Sequence, residues 1–353
     1  MVPLLPSPAT CESLAQILPR FGGSMATVSA ARPVIYALPK HGCDEVCDFL
    51  RSFEASVTSP GFMARLPGGR VFGSGNVISP DGKSIARDVS PDFGKPFSDH
   101  WLLSFNKIRP PVPLQGEVAV IATHLGRGYC HWLLEELPRL LLLGSQDVAT
   151  IILHSESAFS REALLLHGFK GQMIEPRRAT HFACEQLIIP RLPGEPGWPV
   201  PSVVRLLHEF TVPLYASSSA FGERLYISRA KARRRLVSNE DVLWSQLERL
   251  SFTRVYLEDL TWAEQINAFR HARVVVAPHG AGLANLIFCR PETCVVEFFH
   301  RAYVNPCFWR LAALQGLDYR PVVGASLQSL RCEQKSGRLD IEADVKTILN
   351  LVV

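Results

Sequence analysis

The sequence lacks several features that would immediately identify the class of protein: a strong net charge, a long apolar run and an internal repeat. Lysine and arginine total 37 against 33 aspartates and glutamates, and a formal net charge of +4 is too small to require nucleic acid or an anionic membrane as a partner. No apolar run reaches the roughly 18 residues of a membrane-spanning helix, and no period of about 20 to 50 residues is present. We therefore predict no membrane span, and a solenoid or fibrous protein is excluded.

The nine cysteines include no Cys-x-x-Cys pair, which is typical of reduced thiols. Cys43 and Cys47 could share a helix face near His41, but nothing nearby supplies the fourth ligand of a zinc site. Three prolines among the first eight residues occupy the place of the basic and apolar segments of a signal peptide. The sequence thus predicts a cytoplasmic protein with no metal site.

The length of 353 residues indicates two domains, since a typical domain has about 150 residues. From residue 221 onward, β-branched runs alternate with amphipathic stretches, the pattern of a parallel sheet covered by helices. Prolines and glycines crowd residues 190–201 and predict a linker. We place the domains at 1–200 and 201–353, both of the α/β class and the second doubly wound.

The expected elements are specific enough to test. In the second domain strands are expected at 224–228, 254–257, 273–277 and 295–298, with helices at 238–250, 261–271 and 305–315; in the first, strands at 118–123, 150–154 and 186–189, with helices at 130–143 and 160–167. Ser238 with Asp241, and Thr261 with Glu264, read as capping boxes. Pro80-Asp81-Gly82 predicts a hairpin turn.

Residues 129–139 put polar side chains on one face of a predicted helix. At about 100° per residue, Glu135 lies about 40° and Arg139 about 80° from His131 around the helix axis, opposite a face of leucines. The helix follows a strand, so its first turn is expected at the carboxyl edge of the sheet, where open α/β domains bind ligands. Pro138 is expected to kink it just beyond. The alternative is a surface helix with an i, i+4 pair of Glu135 and Arg139.

A second motif, His279-Gly280-Ala281-Gly282, follows an apolar strand and opens a predicted helix. Small residues there let backbone N–H groups approach a phosphate, and the helix N-terminus adds about half a positive charge. Glu297 ends the next strand, where it could bond the hydroxyls of a ribose. The alternatives are an ordinary glycine turn and an ordinary strand-end carboxylate.

A third motif places five cations in residues 229–235, immediately after a strand. This segment is a candidate for binding an anion, and a solvated basic loop and a nucleic-acid patch are the competing interpretations. The absence of interleaved aromatic residues argues against single-stranded nucleic acid.

Together the three motifs resemble glycosyltransferase family 61, especially its bacterial capsular and exopolysaccharide branch. The resemblance is carried by Tyr-x-His-Trp-Leu-Leu-Glu-x-Leu-Pro-Arg, then Tyr-Ile-Ser-Arg with its arginine cluster, then His-Gly-Ala-Gly-Leu-x-Asn and Val-Val-Glu, over about residues 118 to 325. Two positions depart from the family, which often has Asn at Gly128 and Asp at Glu135.

The resemblance implies a GT-B fold, with two Rossmann-like domains facing a cleft and here an N-terminal extension that contains the β-hairpin. It implies an inverting transfer from a nucleotide-diphosphate sugar, expected to be a UDP-sugar, to a glycan or glycolipid hydroxyl in surface polysaccharide synthesis. A lipid-linked acceptor would place the protein at the inner face of the membrane.

The resemblance also assigns roles to residues. The donor diphosphate would lie at His279, Gly280, Ala281, Gly282 and Asn285, with Arg229 and Arg234 neutralising it and Glu297 at the ribose. His131 and Glu135 would face the anomeric carbon, and either could be the base, whereas Glu136 points away on the helical wheel. No Asp-x-Asp pair occurs, so no metal or other cofactor is expected.

Two functions from other classes stay open at this point. One is a non-catalytic protein that kept the fold and binds or assembles glycans. The other is an RNA-binding protein that uses residues 229–235.

Overall fold

The computed structural model describes residues 3–92, 95–144, 148–324, 330–331 and 338–353. The chain forms two compact units, of which the first comprises Met1–Arg32 and Thr58–Gly197 and the second Pro33–Val57 and Trp198–Val353. Within the described ranges, no helix is both long enough and apolar enough to cross a membrane.

The strands and helices have the following bounds. The strands are β1 (Leu5–Pro6), β2 (Thr10–Glu12), β3 (Ser24–Ser29), β4 (Pro33–Ile35), β5 (Ala55–Val57), β6 (Gly61–Pro67), β7 (Arg70–Phe72), β8 (Asn76–Ile78), β9 (Ser84–Ala86), β10 (Lys107–Ile108), β11 (Val112–Val120), β12 (Thr150–Ile152), β13 (Gln172–Ile174), β14 (His181–Arg191), β15 (Arg224–Ile227), β16 (Thr253–Val255), β17 (Val274–Pro278), β18 (Cys294–Phe299) and β19 (Asp318–Val323). The α-helices are α1 (Leu14–Ile17), α2 (Asp44–Arg51), α3 (Tyr129–His131), α4 (Leu137–Leu143), α5 (Ala158–His167), α6 (Pro201–Thr211), α7 (Glu240–Arg249), α8 (Trp262–His271), α9 (Cys307–Gln315) and α10 (Val345–Val352).

The second unit is built on a five-stranded sheet in the order β16-β15-β17-β18-β19, in which every pairing is parallel. In sequence order this is 2-1-3-4-5, the order of a doubly wound sheet. The strand order reverses between β15 and β17, and ligands of open α/β sheets bind at the carboxyl ends beside such a point. The predicted strands at 224–228, 254–257, 273–277 and 295–298 are confirmed within two residues, whereas β19 was not predicted.

The first unit contains a mixed sheet of ten strands. Its parallel part runs β13-β12-β11-β14, and antiparallel strands continue it from β14 through β6 and β7. The predicted hairpin is confirmed, because β8 pairs antiparallel with β9 across the turn that holds Asp81 and Gly82. The structure is thus a mixed α/β protein in which the predicted strands of both halves are present.

The helix that carries the first motif is not a regular α-helix. Between α3 and α4, residues Trp132–Glu136 form a π-helical turn, and the Leu137 N–H donates to the carbonyl of Trp132, five residues earlier. Pro138 has no N–H and would clash with the carbonyl four residues before it, and the wider turn accommodates this requirement. The irregularity expected from Pro138 takes the form of this π-turn, which ends two residues before the proline, and α4 continues to Leu143.

One of the two predicted capping boxes is present. Thr261 and Glu264 bond reciprocally at the start of α8, as predicted. The other prediction was wrong: α7 begins at Glu240, and the side chain of Ser238 bonds the carbonyl of Ile341 instead of a helix N–H. The Asn239 amide bonds both the N–H and the C=O of Ala343, so a tertiary contact replaces the local cap.

The two units do not coincide with a simple cut near residue 200. The second unit includes residues 33–57, which contain β4, α2 and β5. Trp309 donates its indole N–H to the carbonyl of Ala37, and Arg310 donates to the carbonyl of Phe53. These contacts join sequence-distant segments, and no local pattern in residues 33–57 predicts them.

Candidate active site

In the first unit, the structure brings His131 and Glu135 together. The His131 Nδ1 lies 2.6 Å from Oε1 of Glu135, and the same oxygen accepts the backbone N–H of Gly197 at 2.8 Å. The side chains are 23% and 11% exposed, respectively, so the pair can be reached from solvent. The helical-wheel expectation that these two residues share a face is met, and Glu135 is oriented by two donors.

Glu136 has surroundings that the sequence did not predict. It is fully buried, and its Oε1 accepts the N–H of Thr123 at 2.8 Å and contacts His154 Nδ1 at 2.7 Å, while Oε2 accepts the N–H of His154 at 3.0 Å. A methyl group on Gly126 would overlap this carboxylate, so glycine is required there for close approach. Glu136 therefore ties the segments that follow β11 and β12 to the helix.

Arg139 does not form the surface pair with Glu135 that was the alternative interpretation. Its guanidinium lies 3.4 Å from the carbonyl oxygens of Ile121 and Ala122, beyond the end of β11. Burial lowers the pKa of Arg139, while Glu135 and Glu136 nearby act in the opposite direction. Arg139 is thus directed into the fold and not along an open surface.

In the second unit, Arg229 lies at the point where the strand order reverses. It follows β15, and its side chain donates through Nη2 to the carbonyl of Arg234 at 2.9 Å and through Nε to that of Arg235 at 3.2 Å. A methyl group on Gly280, which follows β17, would overlap the Arg229 guanidinium. Burial, followed by repulsion from Arg235, lowers the pKa of Arg229 to about 10, so it stays charged at neutral pH.

His279 and Glu297 form a second, buried pair in this unit. Nδ1 of His279 lies 2.5 Å from Oε1 of Glu297, and Oε2 of Glu297 accepts the hydroxyl of Tyr319 at 2.6 Å. The imidazole stacks on Phe299 with ring centroids 5.2 Å apart and meets the edge of Tyr303 at 5.4 Å. Burial lowers the pKa of His279. Glu297 raises this pKa, whereas the nearby cations Arg235 and Arg229 lower it further.

Glu297 therefore has contacts different from those expected of a ribose ligand. It is 0% exposed, and both of its oxygens are occupied by protein donors. In this arrangement the carboxylate fixes the orientation of His279, leaving Nε2 on the far side of the ring. Neither Tyr319 nor its strand β19 was predicted from the sequence.

Two further residues assigned to the diphosphate are engaged in packing. Asn285 is fully buried and donates to the side-chain oxygen of Gln265 at 3.0 Å. A methyl group on Gly282 would come within 2.5 Å of Leu257 Cδ1, so this glycine allows close packing. Gly280 and Ala281 remain at the start of the 3₁₀-helix Ala281–Phe288, where first-turn N–H groups lack intrahelical partners.

The arginine cluster divides into partly buried and exposed members. Arg234 is exposed, and its carbonyl, like that of Arg235, holds Arg229. Arg235 has a positive φ of 56°, a left-handed conformation that costs energy for a residue with a side chain. Its guanidinium lies 5.6 Å from the ring of Tyr303. Within the described part of the chain, no group of three or more His, Cys, Asp or Glu residues could hold a metal ion.

Sequence reasoning missed His154, although a signal for it existed. It follows β12, the parallel neighbour of β11, and residues after neighbouring parallel strands meet at one edge. The helical wheel directed Glu136 away from His131, and in the structure its carboxylate contacts Thr123 and His154.

Comparison with known proteins finds a matching family and several similar enzymes. Residues 129–296 match the family model described as Glycosyltransferase 61. The chain is similar to the EGF domain-specific O-linked N-acetylglucosamine transferase of Drosophila melanogaster, at 32% identity over 118 residues covering 33% of this chain and 22% of that protein. It is similar also to protein O-linked-mannose beta-1,4-N-acetylglucosaminyltransferase 2 of Mus musculus, at 31% identity over 113 residues, 30% of this chain and 19% of that protein.

A third similar protein is a plant enzyme, the beta-1,2-xylosyltransferase of Arabidopsis thaliana, with 30% identity over 63 residues, 18% of this chain and 12% of that protein. The chain therefore spans about a fifth or less of the length of these curated relatives. All three are named as glycosyltransferases. Residues 129–296 therefore match glycosyltransferase family 61, and the resemblance carried by the motifs is confirmed.

Proposed function

We propose that this protein transfers a sugar from a nucleotide-diphosphate donor, expected to be UDP-linked, to a hydroxyl of a glycan or glycolipid acceptor. The observation that carries the proposal is the convergence of Arg229, Gly280 and His279 beyond the carboxyl ends of two neighbouring parallel strands. A charged guanidinium beside a glycine, whose backbone a ligand can approach closely, is suited to bind a diphosphate.

The second unit supplies the donor site in this proposal. Arg229 approaches the diphosphate with its charge, and the N–H groups at the start of the 3₁₀-helix donate to its oxygens. His279 is oriented by Glu297 and presents Nε2, so Glu297 acts through the histidine and does not bind the ribose itself. Arg234 is exposed and available to the leaving nucleotide.

The first unit supplies the base. An inverting transfer requires one group to take the proton of the acceptor hydroxyl as its oxygen attacks the anomeric carbon, while the bond to the diphosphate breaks. Glu135 and His131 share a hydrogen bond and are accessible. Either member can therefore take the proton, while the other stabilises the protonated form through the hydrogen bond. Glu136 is shut away from substrate and already accepts donors on both oxygens.

The transfer is proposed to need no divalent metal. The leaving diphosphate carries about two negative charges, and charge-assisted bonds from Arg229 and Arg234 with the backbone donors are of the size needed to offset them. The GT-B class, the inverting outcome and a role in bacterial surface polysaccharide stay predictions, supported by the resemblance of the motifs.

The test has two stages with the full chain. The melting temperature is measured with UDP, with GDP and with an RNA oligonucleotide, and a rise with UDP is expected because a ligand of the native state stabilises it. Release of UDP is then followed from UDP-linked sugars in the presence of a glycan acceptor, with excess EDTA and with added manganese.

The outcomes separate the alternatives. Equal rates in EDTA and manganese support transfer without a metal, and activity that collapses in EDTA contradicts it. A melting temperature raised only by RNA would replace the proposal with the RNA-binding interpretation. Binding of UDP with no transfer to any acceptor would instead support the non-catalytic protein.

A further inference from the structure

The first unit contains a cavity of about 470 Å³ that no motif drew attention to. It is lined by residues from four segments, including Gly73, Asp92, Trp101, His124, Arg127 and Arg178. Its volume lies in the range of small-molecule sites, roughly 300 to 1,000 Å³. Five of these six residues precede residue 129, where the match to the family model begins. Most of the cavity lining therefore lies outside the part of the chain that matches the family.

The cavity carries an excess of positive charge. Its carboxylate, Asp92, is already engaged by the Lys95 ammonium at 3.1 Å and by the N–H of Trp101 at 3.0 Å. The Arg127 guanidinium has Glu175 at 3.9 Å as its nearest carboxylate, at the limit of an ion pair. Arg178 is exposed and forms no ion pair with any residue that the structure describes. Two cations therefore have spare capacity for an anion.

Trp101 gives the cavity an aromatic wall. The indole is held by Phe72, with ring centroids 6.0 Å apart, and by Phe105 in a perpendicular contact at 5.6 Å. A rigid aromatic ring packs against the apolar C–H face of a pyranose while the sugar hydroxyls bond polar neighbours. An aromatic wall beside arginines fits a charged sugar better than a small inorganic anion, which has no apolar face.

The wall of the cavity is also joined to the candidate base. His124 and Arg127 belong to the segment between β11 and α3, and His131 follows Arg127 by four residues. Glu136 accepts the N–H of Thr123 in the same segment, and Gly126 packs on that carboxylate. The segment is thus fixed to the helix that carries His131 and Glu135, all within the first unit.

We propose that this cavity is an acceptor subsite that binds a sugar bearing an anionic group, a carboxylate or a phosphate. The inference rests on the proposed function and specifies its acceptor. Trp101 packs on the sugar ring, and Arg127 and Arg178 bind the anionic substituent. The site selects acceptors by charge, and the rest of the acceptor extends from it toward the base.

The experiment is a ligand-observed NMR titration of the full chain with methyl β-glucuronide, glucose 6-phosphate and the neutral methyl β-glucoside. At least one anionic sugar is expected to bind about tenfold or more tightly than the glucoside, with affinity falling as salt is added. The tighter of the two anionic probes identifies the substituent as carboxylate or phosphate. Equal affinity for all three sugars overturns the proposal.

Arg178→Gln and Arg177→Gln form a matched pair. Arg177 is the neighbouring arginine, but it pairs with Glu156 at 2.6 Å and does not line the cavity. Arg178→Gln is expected to weaken binding of the anionic sugar about tenfold or more, the size of a charge-assisted hydrogen bond, whereas Arg177→Gln leaves the affinity within twofold. An equal effect of the two changes overturns the assignment.

A third readout separates this inference from the proposed function. UDP binding should be the same in wild type and Arg178→Gln, and with an active donor the variant should raise the KM for the anionic acceptor while the KM for the donor stays constant. If wild type binds the anionic sugar but not UDP, the donor proposal fails while the anionic-sugar site stands. If UDP binds and the sugars do not discriminate, the subsite fails alone.

Discussion

The two units each hold a histidine against a glutamate, and the pairs differ in their access to solvent. In the first unit the His131 and Glu135 side chains are 23% and 11% exposed, and they lie 2.6 Å apart. In the second unit His279 and Glu297 lie 2.5 Å apart, with side chains 5% and 0% exposed. A third pair, His154 with Glu136, is buried in the first unit at 5% and 0%.

In the proposed function, burial and not residue type separates the roles of these pairs. Both oxygens of Glu136 and both oxygens of Glu297 accept protein donors, as a buried carboxylate requires. Such groups fix the structure around them and are shut away from solvent. Glu135 receives two donors on a single oxygen and remains within reach of solvent, so it is the member suited to take a proton.

The largest expected effect comes from the accessible pair. Glu135→Gln should lower kcat by about 10² to 10⁴, because the amide keeps the shape of the side chain but cannot act as a base. UDP affinity should stay within twofold, since the donor site lies in the other unit. Steady-state transfer rates and UDP titration check this, with Glu156→Gln, an exposed glutamate of the same unit, as the control.

A Glu135→Gln protein with unchanged kcat would move the base to His131.

The next largest effect is expected from the buried pair of the first unit. Glu136→Gln should lower the free energy of unfolding by about 2 to 3 kcal/mol, because one amide group replaces an oxygen that accepts protein donors. The denaturant midpoint of the first unit measures it. The exposed Glu209, 4.0 Å from Arg205, provides the control, and Glu209→Gln should change stability by well under about 1 kcal/mol. Equal effects of the two changes would contradict the structural role of Glu136.

At the donor site, Gly280→Ala should raise the dissociation constant of UDP about tenfold, since the new methyl group displaces the Arg229 guanidinium. A double-mutant cycle sharpens the test: Gly280→Ala should cost nothing further when Arg229 is already glutamine. Full additivity of the two losses would show that Gly280 acts independently of Arg229. Gly282 offers no comparable test, because a side chain there would first meet Leu257.

The smallest effect is expected from pH. Burial lowers the pKa of His100 and His181 in the first unit and of His208 and His279 in the second. In the unfolded chain these histidines titrate near about 6.5, so below that pH the unfolded state binds more protons and stability falls. The melting temperature should therefore decrease between about pH 7.5 and 5.5, by about 2 to 4 °C for each kcal/mol lost. A flat or rising profile would contradict the burial of these groups.

The sequence predicts most elements that carry the site. Apolar runs such as 273–277 and the Thr261 and Glu264 capping box are local signals, and the structure contains both. The helical wheel also predicts correctly that His131 and Glu135 share a face. Although the π-turn widens the helix, these residues, four apart, still contact each other.

The predictions that failed concern residues whose surroundings are set by tertiary contacts. Ser238 resembles a cap in sequence, but the segment around Ile341 competes for its hydroxyl. Glu297 resembles an open strand-end carboxylate until β19 places Tyr319 beside it. The burial of Glu136 follows from a π-turn and from Gly126, and neither is visible in a helical periodicity.

UDP titration of the wild type, Arg229→Gln and Arg233→Gln tests the central claim most directly. Arg233 is an exposed arginine of the same cluster, so the pair of variants compares equal losses of charge at a partly buried and an exposed position. The account predicts that wild type binds UDP, that Arg229→Gln weakens binding about tenfold or more, and that Arg233→Gln stays within twofold. Affinity should also fall as pH rises through the Arg229 pKa of about 10. No UDP binding by the wild type, or equal losses in the two variants, would contradict a nucleotide-sugar site at Arg229 and Gly280.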